Sequence, residues 1–165
     1  MKNTSWHGQY EFNCFDKIGN LIWSETRDNA LLDEGEQQVL DVYLRGATPP
    51  AAFYLGLTSM ASMLETTTLA TLTNEASGGG YARQVINRDA TAAGWPSLVL
   101  DTGDYLATSK TITFTASGAI GPVDKAFLAT TADNSGKLIS FTALSTTRTL
   151  ATGDTLQVTY KVKLQ

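Results

Sequence analysis

The segment TLQVTYKVKL, residues 155–164, decides the fold class of this 165-residue chain. Its apolar side chains occupy every second position, and polar or charged side chains fill the positions between them. A period of two is typical of a β-strand that buries one face. The segment therefore predicts a strand whose inward-facing side chains are Leu156, Val158, Tyr160, Val162 and Leu164.

The same alternation returns in shorter form earlier in the chain. Ile112 and Phe114 alternate with threonines, and residues 138–141 form an apolar run directly after the turn sequence Asp-Asn-Ser-Gly at 133–136. Threonine is β-branched, which suits a half-buried sheet better than a helix. Several short strands separated by turn signals are typical of an all-β sandwich. We therefore predict a mainly β fold, an antiparallel, jelly-roll-like β-sandwich that occupies residues 28–165 as one domain.

One helix is predicted, over residues 33–45. Asp33 and Glu36 have the spacing of a capping box, and Gly35 in the first turn weakens the helical signal slightly. Gly46 suits the position after the helix, and the prolines at 49 and 50 prevent continuation. The apolar positions that share one side of this helix are Val39, Leu40, Tyr43 and Leu44.

Residues 6–23 predict a hairpin that precedes the helix. Tyr10 and Phe12 alternate with polar residues, and Gly19 lies in a short turn where it can adopt a positive φ. Two interpretations fit this pattern. Either residues 1–27 form an arm that packs on a neighbouring molecule, or they hold the ordinary first hairpin of the sheet.

Residues 58–80 form the longest stretch without a clear strand or helix signal. This stretch is rich in threonine and serine and ends in three glycines, before a strand that resumes at Tyr81. Loops of this length in a compact domain are usually functional or mobile. The glycines lack the lysine and the hydroxyl residue of a phosphate-binding loop, and no helical pattern follows them. They therefore predict a flexible connection and no nucleotide site.

Composition narrows the function classes. Sixteen acidic residues against twelve basic ones give a net charge of −4, which argues against nucleic acid as a partner because phosphate binding needs a concentrated positive field. The single cysteine, Cys14, cannot form an internal disulfide, and one histidine makes a zinc site improbable. No apolar run approaches the ~20 residues of a membrane span, and residues 1–6 lack the core of a secretory signal. We therefore expect synthesis in a reducing cytoplasm and no membrane partner.

The chain offers few residues for catalysis. His7 is its only imidazole, and nucleophilic catalysis needs an activating base beside the nucleophile. The acids Glu65, Glu75, Asp101 and Asp104 lie near loops, but acids in loops are common on any acidic protein and do not by themselves indicate a glycosidase pair. Turn chemistry accounts for Asp101 and Asp104 without a calcium site. We therefore predict no enzymatic activity, no catalytic residue, no metal, no cofactor and no small-molecule substrate. A binding or structural subunit is the expected class.

Nine short segments, spread over roughly residues 50–165, together resemble a pattern found in small virion proteins of tailed phages. Each segment is short, so the resemblance depends on their order along the chain. The segments are FYLGL at 53–57, EASGGGYAR at 75–83, GWP at 94–96, ITF at 112–114, GPV at 121–123, FL at 127–128, GKL at 136–138, AL at 143–144 and GDTL at 153–156.

This resemblance implies a structural role in a virion. The first hypothesis is a capsid decoration (cement) protein that binds the major capsid protein on the outer surface of the assembled head and stabilises the shell. The alternative is a fibre, spike or tail-accessory protein that contacts the host surface. For the decoration protein we expect a homo-oligomer, with a trimer at local threefold positions as the natural arrangement. Buried aromatic side chains and arginines dominate interface energetics, so the candidate interface residues are Trp6, Tyr10, Phe12, Trp23, Arg83 and Arg88.

Overall fold

The computed structural model describes residues 6–164 and consists of strands, one helix and connecting loops. The helix α1 spans Asp33–Leu44, and a single 3-10 turn spans Leu69–Thr71. The strands are β1 (Trp6–Phe15), β2 (Leu21–Asp28), β3 (Ala30–Leu31), β4 (Ala52–Thr58), β5 (Gln84–Asn87), β6 (Ser97–Asp101), β7 (Asp104–Thr108), β8 (Ile112–Thr115), β9 (Ile120–Ala129), β10 (Leu138–Leu150) and β11 (Thr155–Leu164).

These strands form two antiparallel sheets. The six-stranded sheet has the order β2-β1-β11-β7-β6, with β8 also paired to β11, and the five-stranded sheet has the order β3-β10-β9-β4-β5. The inward-facing side chains of both sheets meet in one apolar core. The predicted mainly β, antiparallel sandwich with one helix is therefore confirmed, and β11 coincides with the segment that decided the fold class.

The first hairpin is part of the six-stranded sheet, where β1 lies between β11 and the edge strand β2. Strand β1 pairs with β11 along its whole length, from Trp6 opposite Leu164 to Phe15 opposite Thr155. Gly19 in the turn to β2 has φ 88°, which a glycine adopts without strain. In this structure residues 6–28 thus pack on the chain's own sheet, while residues 1–5 lie outside the described part.

A buried polar chain links the two sheets. The Tyr10 hydroxyl shares a hydrogen bond with Ser140 Oγ at 2.9 Å, and the Tyr160 hydroxyl accepts one from Asn29 Nδ2 at 2.9 Å. The Gly8 amide donates to Asn29 Oδ1 at 2.8 Å. Burial raises the pKa of the Tyr10 phenol well above its usual value. These hydrogen bonds fix the relative position of the sheets, because each buried polar group depends on its partner.

The outer face of the five-stranded sheet is sealed by the long loop at 58–80. We call this surface, with Phe127 and Leu138 at its centre, the covered face. Phe127, Leu138 and the loop residue Leu69 are each 0% exposed. A Cβ on Gly56 would lie 2.2 Å from the Phe127 ring, so only glycine at that position leaves room for the ring. The loop therefore serves as part of the core, although its length predicted a functional or mobile segment.

The helix follows the predicted range but differs in how it begins and packs. Leu32, not Asp33, is the N-cap, and no side chain caps the helix, so the predicted capping box is wrong. A Cβ on Gly35 would lie 2.3 Å from the Ile139 carbonyl oxygen, and Gly35 is the helix residue that is buried. Gly46 has φ 72°, as expected for the residue after a helix. The helix thus rests on the sheet through its first turn.

Candidate interaction surface

The hairpin of β6 and β7 leaves its apolar side chains uncovered. Leu98, Leu100 and Tyr105 are 68%, 65% and 64% exposed. Cross-strand pairing places Leu98 opposite Ala107 and Leu100 opposite Tyr105, so all four side chains share one face. Ala107 in turn pairs with Val162 of β11. This face is therefore the continuation of the inner, core-forming face of the six-stranded sheet.

The C-terminal part of the helix is equally exposed. Leu40, Tyr43 and Leu44 are 53%, 86% and 69% exposed. Their spacing predicted a stripe, of the kind that faces a core, but the helix contacts the sheet at its first turn instead. The stripe is left at the surface because α1 is followed by the loop at 45–51 and by no element that covers it.

A groove of about 350 Å³ lies between the helix and the end of the sandwich. Its walls combine the helix, the proline loop and inward-facing side chains of both sheets. Apart from Gln38, Arg88 and the Tyr160 phenol, the residues that line it are apolar: Trp6, Val39, Val42, Tyr43, Pro49, Pro50, Phe53, Trp95, Ala107, Leu128, Ile139 and Val162. We call the groove, the exposed helix stripe and the β6–β7 hairpin the open surface.

The chemistry of the open surface suits binding of an apolar partner. Arg88 at the groove donates from Nε to the Pro50 carbonyl oxygen at 3.0 Å, so its charge is tied to the proline loop. Trp95 makes edge-to-face contacts with Phe53 and Tyr160, with ring centroids 6.1 Å apart in each pair. These rings give the groove a fixed shape, which favours insertion of a side chain of matching shape.

The six predicted interface residues fall into four environments. Trp6 and Arg88 line the groove, while Tyr10 and Phe12 are 0% and 1% exposed within the chain's own core. Trp23 packs against that core from its edge, and the Arg148 guanidinium lies 4.7 Å above the Trp23 ring. The predicted set therefore does not form one patch. The exposed leucines of β6 were missed, although three consecutive apolar residues before a turn at 101–104 were a signal for them.

Arg83, the sixth candidate, is held inside the molecule. Its side chain is 3% exposed, and Nη2 lies 2.7 Å from Glu75 Oε2. The same guanidinium donates to the Thr131 carbonyl oxygen at 3.2 Å and to Asn134 Oδ1, and it stacks over Phe127 at 5.1 Å. These contacts join the end of the long loop to the β9–β10 turn.

The acids and the cysteine considered for chemistry have structural surroundings. Glu75 pairs with Arg83, and Asp101 lies 3.1 Å from Lys163 Nζ on a neighbouring strand. Burial, reinforced by the Asp154 carboxylate, raises the pKa of the Cys14 thiol to about 11, which disfavours the reactive thiolate. Within residues 6–164, no cluster of three or more His, Cys, Asp or Glu side chains has the geometry of a metal site. In the same part of the chain, no helix has the length and composition needed to span a membrane.

A family model matches most of the chain. The family model described as podophage GP4 fiber I protein gp80 matches residues 30–162. Searches of the curated proteins and of the solved structures gave no significant match. The matched range runs from β3 into β11, so it includes the helix, the β6–β7 hairpin and every residue that lines the groove except Trp6. The chain therefore belongs to the family of podophage GP4 fiber I protein gp80 and is a structural protein of a bacteriophage virion.

Proposed function

We propose that this chain is a fibre or tail-accessory subunit of a podophage, and that it acts by binding other proteins without catalysing a reaction. The family description names a fibre protein, and it covers most of the chain. It thereby favours the second of the two sequence-based hypotheses over the first, a capsid decoration protein. The proposal includes contact of this subunit with the host surface.

The observation that carries the binding role is the open surface. Soluble monomers rarely expose contiguous apolar patches larger than a few hundred Å², and larger ones mark interaction sites. Here an apolar groove of about 350 Å³ is flanked by exposed leucines and tyrosines on two separate elements. An assembled fibre would supply the protein surface that removes these side chains from water.

Immunogold labelling of intact particles tests the position of the protein. Antibodies against the purified chain are added to wild-type particles and to particles that lack the gene, which serve as the background control. Gold on the fibres or the tail, absent from the control particles, is the expected result. Gold distributed over the head surface would overturn the proposal in favour of capsid decoration.

A binding assay tests the contact with the host. The labelled chain is mixed with host cells and with cells of a strain that the phage does not infect. Saturable binding to the host alone is expected. Equal, non-saturable binding to both strains would contradict host recognition by this subunit, although it would leave the fibre position intact.

A further inference from the structure

The two ends of the six-stranded sheet are built differently. Strand β2 at one edge begins with the exposed residues Leu21 and Ile22, but it continues with Glu25, Arg27 and Asp28, which are charged residues of the type that protect an edge from pairing with another chain. Strand β6 at the other edge presents Leu98, Val99 and Leu100 in succession, with exposed fractions of 68%, 49% and 65%. It has no charged residue before Asp101, and its backbone is paired on one side only, to β7.

The remaining described edges of the two sheets also differ from β6. Strand β3 has two residues, and β5 has four with polar residues at both ends. Strand β8 directs Ile112 and Phe114 into the core and leaves threonines outside. Among the edge strands in the described part of the chain, β6 thus presents the longest uninterrupted run of exposed large apolar side chains, three residues that alternate between the two faces of the strand.

The apolar residues of β6 are arranged symmetrically, because Leu98 and Leu100 flank the central Val99. In an antiparallel pair centred on Val99, each Leu98 lies opposite the Leu100 of the other strand, and each Ser97 lies opposite Asp101. A two-fold interface requires this kind of self-complementarity, because the same patch occurs on both sides. The charge of Asp101 is compensated by Lys163 of its own chain at 3.1 Å, so the pairing does not bring two uncompensated acids together.

The area available fits a weak, reversible interface. Leu98, Val99 and Leu100 each expose roughly 100 Å² of side chain, which gives about 300 Å² per copy. Two copies, with the backbone of both strands, then bury at most about 800 Å², which is below the ~1,000 Å² of a stable specific interface. We therefore expect association that depends on protein concentration.

We propose that β6 is a self-pairing edge, on which a second copy of this chain adds its own β6 in antiparallel register about Val99. The six-stranded sheets of the two copies then form one continuous sheet. This proposal does not depend on where in the virion the protein lies, since it concerns only contacts between copies of this chain.

Site-directed cross-linking tests the register in the full-length chain. With Val99→Cys, the two new thiols face each other at a Cα separation of about 5 Å, within the range of a disulfide. Leu98→Cys places its two thiols about 8 Å apart along the diagonal, beyond the ~7 Å limit. In a mixture of the Leu98→Cys and Leu100→Cys variants, the thiol at position 98 of one copy lies directly opposite the thiol at position 100 of the other, which is within the range of a disulfide. The wild type is the background control, since its one thiol, Cys14, is 2% exposed.

The expected result is a disulfide dimer for Val99→Cys and for the mixture, and only background for either leucine variant alone. Equal cross-linking of all variants would show random collision and would overturn the register. No cross-linking above the wild type in any sample would overturn the self-pairing itself.

Sedimentation velocity tests the association without any cross-link. The wild type is expected to shift from the 17.7 kDa monomer toward a dimer as its concentration rises. Val99→Lys should abolish this shift, because a charged residue at the centre of the edge opposes its own copy. Val85→Lys is the matched control on the edge strand β5, where Val85 is 39% exposed, and it should dimerise like the wild type. A wild type that stays monomeric, or a Val85→Lys variant that loses the dimer, contradicts the proposal.

Discussion

The covered face and the open surface are two apolar regions that adjoin the central core. The chain's own loop buries the first, whereas the second is exposed. Phe127 and Leu138 on the covered face are fully buried by the loop at 58–80. Leu98, Leu100 and Tyr43 on the open surface are 65–86% exposed. More than twenty residues of the chain, the loop at 58–80, cover the first region, whereas the side chains of the second are exposed in the described part of the chain. This difference supports the role that we propose for the open surface, contact with other proteins.

The largest effect is expected when matched aromatic residues are truncated on the two regions. Phe127→Ala removes a ring that packs on Gly56 and lies below the Arg83 guanidinium, so we expect the free energy of unfolding to fall by about 4 kcal/mol. Tyr105→Ala on the open surface should change it by less than about 0.5 kcal/mol. Urea unfolding of the two variants and the wild type measures both values. Similar losses for the two variants would contradict the division into a covered and an open region.

An ion-pair comparison sharpens the same contrast. Glu75→Gln leaves the Arg83 guanidinium, 3% exposed, without its carboxylate partner, and we expect a loss of about 3 kcal/mol. Asp41→Asn on the helix removes a carboxylate that pairs with Arg45, which is 79% exposed, and should cost at most about 0.5 kcal/mol. Thermal and urea unfolding at low and moderate salt measure both. Equal costs would show that the pair at the end of the long loop is not buried in solution.

A smaller effect is expected where the helix fastens the covering loop. Glu34 Oε2 accepts hydrogen bonds from the Leu69 amide at 2.9 Å and the Leu138 amide at 2.7 Å. Glu34→Ala leaves both amides without this acceptor and should cost about 2 kcal/mol. Glu36→Ala, an exposed acid in the same turn of α1, is the control and should cost a few tenths at most. Faster hydrogen exchange at Leu69 in Glu34→Ala alone would confirm the role of this contact.

The smallest effect concerns acid pH at the β9–β10 turn. Hydrogen bonds from the Ser135 hydroxyl and amide lower the pKa of the Asp133 carboxyl. A lowered pKa in the folded state means that the folded chain binds fewer protons, so this stabilisation is present above about pH 4 and is lost as the pH falls through the folded pKa. Asp133→Asn keeps an acceptor but cannot titrate. Its stability should therefore fall less than that of the wild type below pH 4, and identical pH profiles would contradict this assignment.

The sequence predicts those features of the fold that depend on local contacts, and it does not predict those that depend on contacts between distant segments. The period-two pattern of residues 155–164 and the turn at 133–136 are local signals, and the structure confirms both. Packing against distant backbone leaves no local signal. Gly35 weakened the helix prediction, yet it is the residue that lets α1 approach the Ile139 carbonyl oxygen. The helix therefore contacts the sheet through Gly35, and the apolar stripe of Leu40, Tyr43 and Leu44 points to solvent as part of the open surface.

The candidate interface shows the same limit. Aromatic and arginine side chains were chosen for their usual weight in interfaces, but Tyr10, Phe12 and Arg83 are held within the chain's own fold. Leu98 and Leu100 are apolar strand residues, and nothing in their local sequence distinguishes them from residues that face a core. Only the pairing of β6 with β7, at the edge of the sheet, shows that their face has no opposing layer.

A reconstruction of the intact phage particle at side-chain resolution tests the central claim most directly. Our account predicts that the sandwich lies in a fibre or its attachment to the tail, with α1, the groove and the β6–β7 hairpin covered by neighbouring protein. A sandwich on the head, or one in the tail whose open surface faces solvent on every copy, would contradict it.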